Sequence, residues 1–392
     1  MKSVSFHHIF RLTSIISSIF LLMLSYYINI SVVSRSFNHL MDFGSFIASG
    51  QFSNEGKNPY SEDSPLIFSA LFPKINHFGS APNLNPPISV VLFKEIANTG
   101  YSPLVSANSW RIISFLLYGL SLFLIGNAGE NTHPRFYWRL IWVIGIAGFW
   151  TTVELGQIYI PLYLLALGII IYSKKEQSIF AGALLGALVA IKPNFVFWAI
   201  ALGVAGFWHI LIYAGITAIL ISLLPLYFYG VTIYKQWFEA TKLFTPNLLI
   251  FPGNNSLQGL SARFGSPETG IIFGVLLATL IIFIIIKYKP SIAETNSIAI
   301  ITSLLISPIA WTGYILFVVP ILIDTKKWEW QQWTAAAILL VPFYVPLAFF
   351  QDNFFNFIFF GWFYGWGLLI LLISEIIKIT RITHNVERIK QV

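Results

Sequence analysis

The 392-residue chain is strongly apolar: 56% of its residues are hydrophobic and only 10% are charged. Several apolar runs approach the roughly 20 residues that cross a bilayer as a helix, which predicts an all-α, multi-span membrane protein and excludes an ordinary soluble domain. The net charge of +7 does not indicate nucleic acid as a partner, because the cations lie mostly at the ends of apolar runs, where they orient membrane spans. The chain contains no cysteine, which excludes disulfides and thiolate metal sites.

The apolar runs predict a single membrane domain over residues 1–392 with about 12 spans. Cations in the short loops place both termini in the cytoplasm. The predicted spans are Leu12 to Val33, Leu104 to Asn127, Leu140 to Val153, Ile158 to Tyr172, Ile179 to Ile191, Phe195 to Trp208, Ile210 to Gly230, Ile271 to Ile286, Ile298 to Trp311, Tyr314 to Ile323, Thr334 to Phe350 and Phe357 to Ile379.

Two longer polar segments, 34–103 and 231–269, are predicted on the outer side of the membrane. The first is expected to contain in-plane helices, because its apolar stretch Pro87 to Ala97 is too short to cross a core of about 30 Å at 1.5 Å per residue. This loop carries Asp42 directly after the first span. A carboxylate in that position suggests a general base at the membrane surface, and the alternative is a helix-capping or interfacial aspartate.

Four of the predicted spans are short and form two pairs, each joined by a polar turn. One turn is Glu154-Leu155-Gly156-Gln157 and the other is Lys192-Pro193-Asn194. Turns between such short helices are expected to lie in a polar recess, near the Asp42 loop. Lys192 is then either a partner for a lipid phosphate or a lysine that snorkels beside a proline kink.

The second outer segment contains Asn254-Asn255-Ser256-Leu257-Gln258 and ends its polar stretch at Arg263. Amide side chains and a guanidinium suit the binding of sugar hydroxyls and phosphate. An aspartate base, with Lys192 and Arg263 around a leaving phosphate, would suffice for an inverting sugar transfer from a lipid phosphate. This chemistry requires no metal and no other cofactor.

Short motifs along the chain occur in an order that resembles family 87 of the glycosyltransferases. They are Asp42-Phe43, Gly56-Lys57-Asn58-Pro59-Tyr60, Asn85-Pro86-Pro87, Gly156-Gln157, Gly182…Gly186…Lys192-Pro193, Asn255-Ser256-Leu257 and Ser307-Pro308…Trp311. The resemblance implies a GT-C type fold, a polyprenyl-phosphate sugar as donor, inversion at the anomeric carbon, and Asp42 as the general base. The family includes polyprenyl-phosphate-mannose-dependent α-mannosyltransferases, so mannose is the expected sugar.

The resemblance also implies a bacterial inner-membrane enzyme that works on the outer face, among membrane lipids, with a lipid or glycan acceptor. The expected substrate-binding residues are Lys57, Asn58, Tyr60, Asn85, Glu154, Gln157, Asn255, Gln258, Trp311 and Tyr314. One departure concerns the last motif. The family commonly shows a histidine after the tryptophan, whereas here Trp311 is followed by Thr312-Gly313-Tyr314.

Two other classes of protein share parts of this pattern. A transporter or flippase would also have broken helices with polar turns, although it is expected to carry repeated sets of spans and sites near the midplane. A polysaccharide polymerase or ligase would use a lipid-linked donor, with its largest outer loop late in the chain. The early outer loop and the absence of a visible repeat favour the transferase.

Overall fold

The computed structural model describes residues 41–61, 82–128, 142–324, 328–350 and 353–390, together with residues 23, 26–28, 30 and 139. Most of the first predicted span and the middle of the first outer loop therefore lie outside the described residues. All regular secondary structure in the described part is helical, without strands. This agrees with the all-α prediction.

The helices are numbered in chain order, and short 3₁₀ helices at Pro193–Phe195 and Thr312–Val318 interrupt the series. They are α1 Met41–Asn54, α2 Ile88–Ala97, α3 Pro103–Ala128, α4 Ala147–Leu155, α5 Tyr159–Lys174, α6 Ser178–Ile191, α7 Val196–Val204, α8 Trp208–Tyr229, α9 Thr232–Leu249, α10 Leu257–Arg263, α11 Pro267–Tyr288, α12 Ile292–Ile306, α13 Val319–Asp324, α14 Trp330–Leu340, α15 Tyr344–Phe349, α16 Phe354–Phe359 and α17 Phe363–Lys390.

Within the described part of the chain, four helices are long and apolar enough to cross a membrane: α3, α8, α11 and α17. Shorter apolar helices, among them α5, α6 and α12, lie between them. The prediction of about 12 spans is neither supported nor contradicted by these helices. The structure also divides predicted spans: Thr334 to Phe350 is split into α14 and α15, and Phe357 to Ile379 begins in α16 and continues in α17. Pro342 follows directly after Val341, the residue that caps the C-terminal end of α14, and a proline cannot continue the backbone hydrogen bonds of a helix.

Close packing of α6 against α8 explains the two glycines of the Gly182…Gly186 motif. A Cβ atom at Gly182 would lie 2.8 Å from the Ile210 carbonyl oxygen, and one at Gly186 would lie 2.7 Å from Thr217 Cβ. Small residues of this kind let two helices in a membrane approach each other closely. The packing holds the end of α6, and with it Lys192, in place.

Helices α1 and α2 form a pair that carries Asp42. A Cβ atom at Gly50 would lie 2.6 Å from the Phe93 carbonyl carbon, so the two helices touch where α1 has no side chain. The rings of Phe46 and Phe93 pack with centroids 4.8 Å apart. The far end of α1 is tied to α8, because the Ser53 hydroxyl donates to the Tyr229 hydroxyl at 2.8 Å.

Candidate active site

The site is built around a sharp turn between α4 and α5. Helix α4 ends at Leu155, and Gly156 follows with φ of 69°, in the left-handed region that favours glycine. The reversal lets the Gln157 backbone N–H donate to the Thr152 carbonyl at 2.9 Å. Glu154 and Gln157 are thereby buried on either side of one glycine.

Gln157 holds Asp42, the first residue in the site from another part of the chain. Its Nε2 donates to the Asp42 Oδ2 at 2.5 Å. Burial raises the pKa of Asp42 to about 6, although the Gln157 hydrogen bond and the positive charge of Lys192 act in the opposite direction. Asp42 is only half-buried, so a substrate can reach it. A base with a pKa near 6 is well matched to proton transfer at neutral pH.

Two tyrosine rings flank the Lys192 side chain. Its Nζ lies 5.0 Å from the ring centroid of Tyr159 and 5.5 Å from that of Tyr314. The two rings pack on each other at 4.5 Å, and both tyrosines are buried. Cation–π contacts of this kind stabilise an ammonium that has lost part of its water. Tyr159 is absent from the sequence-predicted site, because an aromatic residue inside an apolar span carries no signal of its own.

Gly313 occupies the position where the resemblance leads us to expect a histidine. A Cβ atom there would overlap the ring of Tyr159 and lie 2.8 Å from the Thr152 hydroxyl. A histidine therefore cannot replace Gly313 unless Tyr159 moves. In this protein the Tyr159 ring fills the space beside Gly313, next to Lys192.

Glu154 is one turn away from Gln157 and belongs to a second polar group. The Tyr344 hydroxyl donates to its Oε1, and the charge of Arg111 acts on the same carboxylate. All three elements involved, α3, α4 and α15, are distant in sequence. The structure thus places Glu154 near the Asp42 group but gives its carboxylate partners of its own.

Arg263 lies in another corner of the structure, and the residue as a whole is 4% exposed. Its Nη2 donates to the carbonyls of Phe251 at 2.7 Å and Asn254 at 3.1 Å. Its Nε and Nη1 have no hydrogen-bond partner among the described residues. Burial lowers the pKa of Arg263 to about 9, so the group still carries its charge at neutral pH. A buried cation with two unused donors is suited to an anionic ligand.

The neighbouring Asn254 and Asn255 join two loops. Asn254 Oδ1 accepts from the Ala310 N–H at 2.9 Å, and Ser256 Oγ donates to the Pro308 carbonyl at 2.9 Å. Asn255 Nδ2 donates to the Gly253 carbonyl at 2.7 Å, while its Oδ1 has no partner in the described part of the chain. These contacts dock the loop of the Asn-Ser-Leu motif onto the loop of the Ser-Pro motif.

Trp311 and Gln258 lie at the edges of this corner. The Trp311 ring packs edge-on against Phe251 at 5.8 Å, and Gln258 lines a cavity between α9 and α11. Tyr314 follows Trp311 by three residues, which limits the separation of their Cα atoms to about 11 Å. The segment from Trp311 to Tyr314 thus connects the Arg263 corner with the Lys192 group.

Four sequence-predicted substrate residues lie at the opposite end of α1 from Asp42, about 20 Å along the helix axis. The ammonium of Lys57 pairs with the exposed carboxylate of Glu55 at 2.6 Å. Asn58 Oδ1 accepts from the Tyr60 N–H at 3.0 Å, and the Tyr60 hydroxyl donates to the Asn85 carbonyl at 2.9 Å. These contacts hold the turn together, and the structure does not bring the four residues to Asp42.

Fold and site together define a helical membrane protein with a half-buried carboxylate, a buried amide and a half-buried lysine at one recess. The family model of glycosyltransferase family 87 matches residues 83–308, which is more than half of the 392-residue chain. The protein belongs to this family and is a glycosyltransferase. Comparisons with curated proteins and with solved structures find no match.

The matched residues include Gln157, Lys192 and Arg263. Asp42, Trp311 and Tyr314 lie outside the matched range and join the site through the fold.

Proposed function

We propose that this protein transfers a hexose, with mannose expected from the resemblance, from a polyprenyl-phosphate donor to a lipid or glycan acceptor, with inversion. The observation that carries the proposal is the Asp42 carboxylate, fixed by Gln157 at 2.5 Å and within the electrostatic reach of Lys192. This arrangement offers a base and a cation in one recess. The reaction would take place at the outer membrane–water interface of a bacterial inner membrane, as part of cell-envelope synthesis.

Asp42 would act on the acceptor. It removes the hydroxyl proton as the acceptor oxygen attacks the anomeric carbon, and the bond from that carbon to the phosphate oxygen breaks. The electron pair leaves with the polyprenyl phosphate, which gains one negative charge. A single displacement of this kind inverts the anomeric carbon, and the proton on Asp42 afterwards returns to solvent.

Lys192 and Arg263 would meet the growing charge on the leaving phosphate. Lys192 is supported by its position over two tyrosine rings, and Arg263 by its unused Nε and Nη1 donors. Charges that are held in place and partly removed from water stabilise a developing anion more strongly than solvated ones. The position of Lys192 therefore favours a role in phosphate binding over the snorkelling alternative, because its ammonium lies against aromatic rings inside the protein.

A cavity of about 550 Å³ between α9 and α11 supports a lipid-linked donor. One wall is the membrane helix α11, with Gly270, Gly274 and Ala278 facing the cavity and Ile271 and Val275 largely exposed. The other wall is α9, which contributes Thr241, Lys242 and Thr245. A cavity with a lipid-facing apolar wall and a polar wall suits an isoprenoid chain below a charged headgroup.

The test is transfer by the purified protein from a panel of polyprenyl-phosphate sugars to lipid and glycan acceptors. We expect transfer from one donor, with inversion visible in the anomeric configuration of the product. No transfer from any donor, combined with uptake of a lipid-linked substrate into protein-containing vesicles, would overturn the proposal in favour of the transporter.

A further inference from the structure

The two polar atoms of the Gln157 side chain differ in their hydrogen bonding. Its Nε2 donates to Asp42 at 2.5 Å. Its Oε1 is buried and has no hydrogen-bond partner among the described residues, and the whole residue is 8% exposed. Buried polar atoms normally have a partner. We therefore expect Gln157 Oε1 to gain a hydrogen-bond partner when a substrate is bound.

The orientation of the amide follows from chemistry. An ionised carboxylate can only accept hydrogen bonds, so the NH₂ group of Gln157 must face Asp42 and the carbonyl must face away. The nitrogen and oxygen of one amide are about 2.2 Å apart. Oε1 is therefore no more than about 4.7 Å from the Asp42 Oδ2 that accepts the 2.5 Å bond. Only a donor can satisfy this oxygen.

We propose that Gln157 Oε1 accepts a hydrogen bond from a second hydroxyl of the acceptor, adjacent to the hydroxyl that Asp42 deprotonates. The inference rests on the proposed function, since it takes Asp42 as the base. Neighbouring hydroxyl oxygens of a sugar ring are separated by about one hydrogen-bond length, which suits two acceptor atoms as close as these. The acceptor is then a sugar or another polyol with adjacent hydroxyls, and a lone lipid alcohol is a poor substrate.

Gln157 has two tasks in this arrangement. Through Nε2 it positions the base, and through Oε1 it selects the acceptor and determines which of its hydroxyls is attacked. A glutamine can do both because its amide carries a donor and an acceptor side by side. A glutamate would place a second negative charge against Asp42, and an apolar residue would do neither.

The test compares acceptors that differ by one hydroxyl. Octyl mannoside and its single-deoxy analogues are supplied to wild-type protein, to Gln157→Met and to Gln51→Met. Gln51 lies on α1 beyond Asp42, and its substitution is the control. For wild type we expect loss of the hydroxyl next to the attacked one to lower kcat/KM at least tenfold. In Gln157→Met the two acceptors should become equal within twofold, whereas Gln51→Met should keep the wild-type ratio.

Several results would overturn the inference. If Gln157 serves only the structure, Gln157→Met lowers transfer to both acceptors in the same proportion and leaves their ratio unchanged. If Gln157→Met does not fold, the wild-type series still decides, because equal use of the deoxy acceptors or of 1-octanol means that a water satisfies Oε1. In these cases transfer itself persists, so the proposed function stands. Absence of transfer by wild-type protein to every acceptor refutes both.

Discussion

Replacement of Asp42 by asparagine tests the catalytic role of the carboxylate while the fold is kept. Asparagine has nearly the same shape, and its Oδ1 can still accept the hydrogen bond that Gln157 donates at 2.5 Å. The proton acceptor is lost, however. General-base catalysis contributes about 10²- to 10⁴-fold, which is about 3 to 5.5 kcal/mol of activation free energy. Turnover of Asp42→Asn should fall by at least the lower figure, while donor binding persists.

The same substitution should stabilise the fold at high pH. The pKa of Asp42 is raised from 3.8 to about 6, and each unit corresponds to about 1.4 kcal/mol. The upper limit is therefore about 3 kcal/mol, and because the residue is half-buried we expect about 1 to 2 kcal/mol. Because the folded-state pKa lies above the unfolded value, the carboxylate costs stability as the pH rises from about 3.8 to about 6, and the full cost is present above pH 6. The gain from asparagine should be present at pH 8 and almost absent at pH 4.

The assay measures sugar transfer and thermal unfolding of the same detergent-purified samples. Glu55→Gln is the matched control, because Glu55 is an exposed carboxylate just beyond the far end of α1, and it should leave turnover unchanged. Near wild-type transfer by Asp42→Asn would refute the base assignment. A melting temperature that falls at pH 8 would refute the burial argument separately.

Two further predictions address the donor. Lys192→Met should move the acid limb of the pH profile of kcat/KM above pH 6, because the lysine charge lowers the pKa of Asp42, and it should raise the donor KM. The control Lys94→Met, which removes a lysine over the Tyr229 ring, should change neither quantity. An acid limb that stays in place in Lys192→Met would contradict the electrostatic effect assigned to Lys192. Gly274→Phe should fill the cavity between α9 and α11 and reduce use of a long polyprenyl donor at least tenfold, while a soluble short-chain donor is still used. The control Gly274→Ala, whose Cβ would meet Ile306 Cβ at an ordinary 3.6 Å, should use both donors. Equal loss of activity with both donors in Gly274→Phe would argue against a cavity that binds the polyprenyl chain.

The sequence predicted the parts of the site that depend on local rules. Apolar runs marked α3, α8, α11 and α17, and polar turns between short helices located Gln157 and Lys192. The hydrogen bond between Asp42 and Gln157 joins residues 115 positions apart, and the sequence predicts their proximity only because the two polar turns are expected in a recess near the Asp42 loop. The positions of the polar turns in the sequence, and the expectation that the turns and the Asp42 loop lie at the same depth in the membrane, were enough to predict this proximity.

The remaining features depend on packing that no local pattern records. Tyr159 lies in an apolar run, and its contact with Lys192 exists because α6 ends beside the Gly156 turn. The polar segment that contains Asn254 and Ser256 predicts ligand binding, yet the structure uses these two side chains to dock two loops. Polar groups inside a membrane protein must form hydrogen bonds with each other. A polar motif in the sequence therefore does not show whether its side chains dock two loops or bind a ligand.

Gly313 affects Lys192 and Asp42 through the ring of Tyr159. A Cβ atom there would overlap the Tyr159 ring, and that ring helps to stabilise the ammonium of Lys192. Lys192 in turn keeps the pKa of Asp42 from rising further. A histidine at this position would have to displace Tyr159 and would place a second titratable group beside the base. With glycine, Lys192 is the cation that lowers the pKa of Asp42, and a donor phosphate that neutralises Lys192 would make Asp42 a stronger base at the moment when the acceptor must be deprotonated.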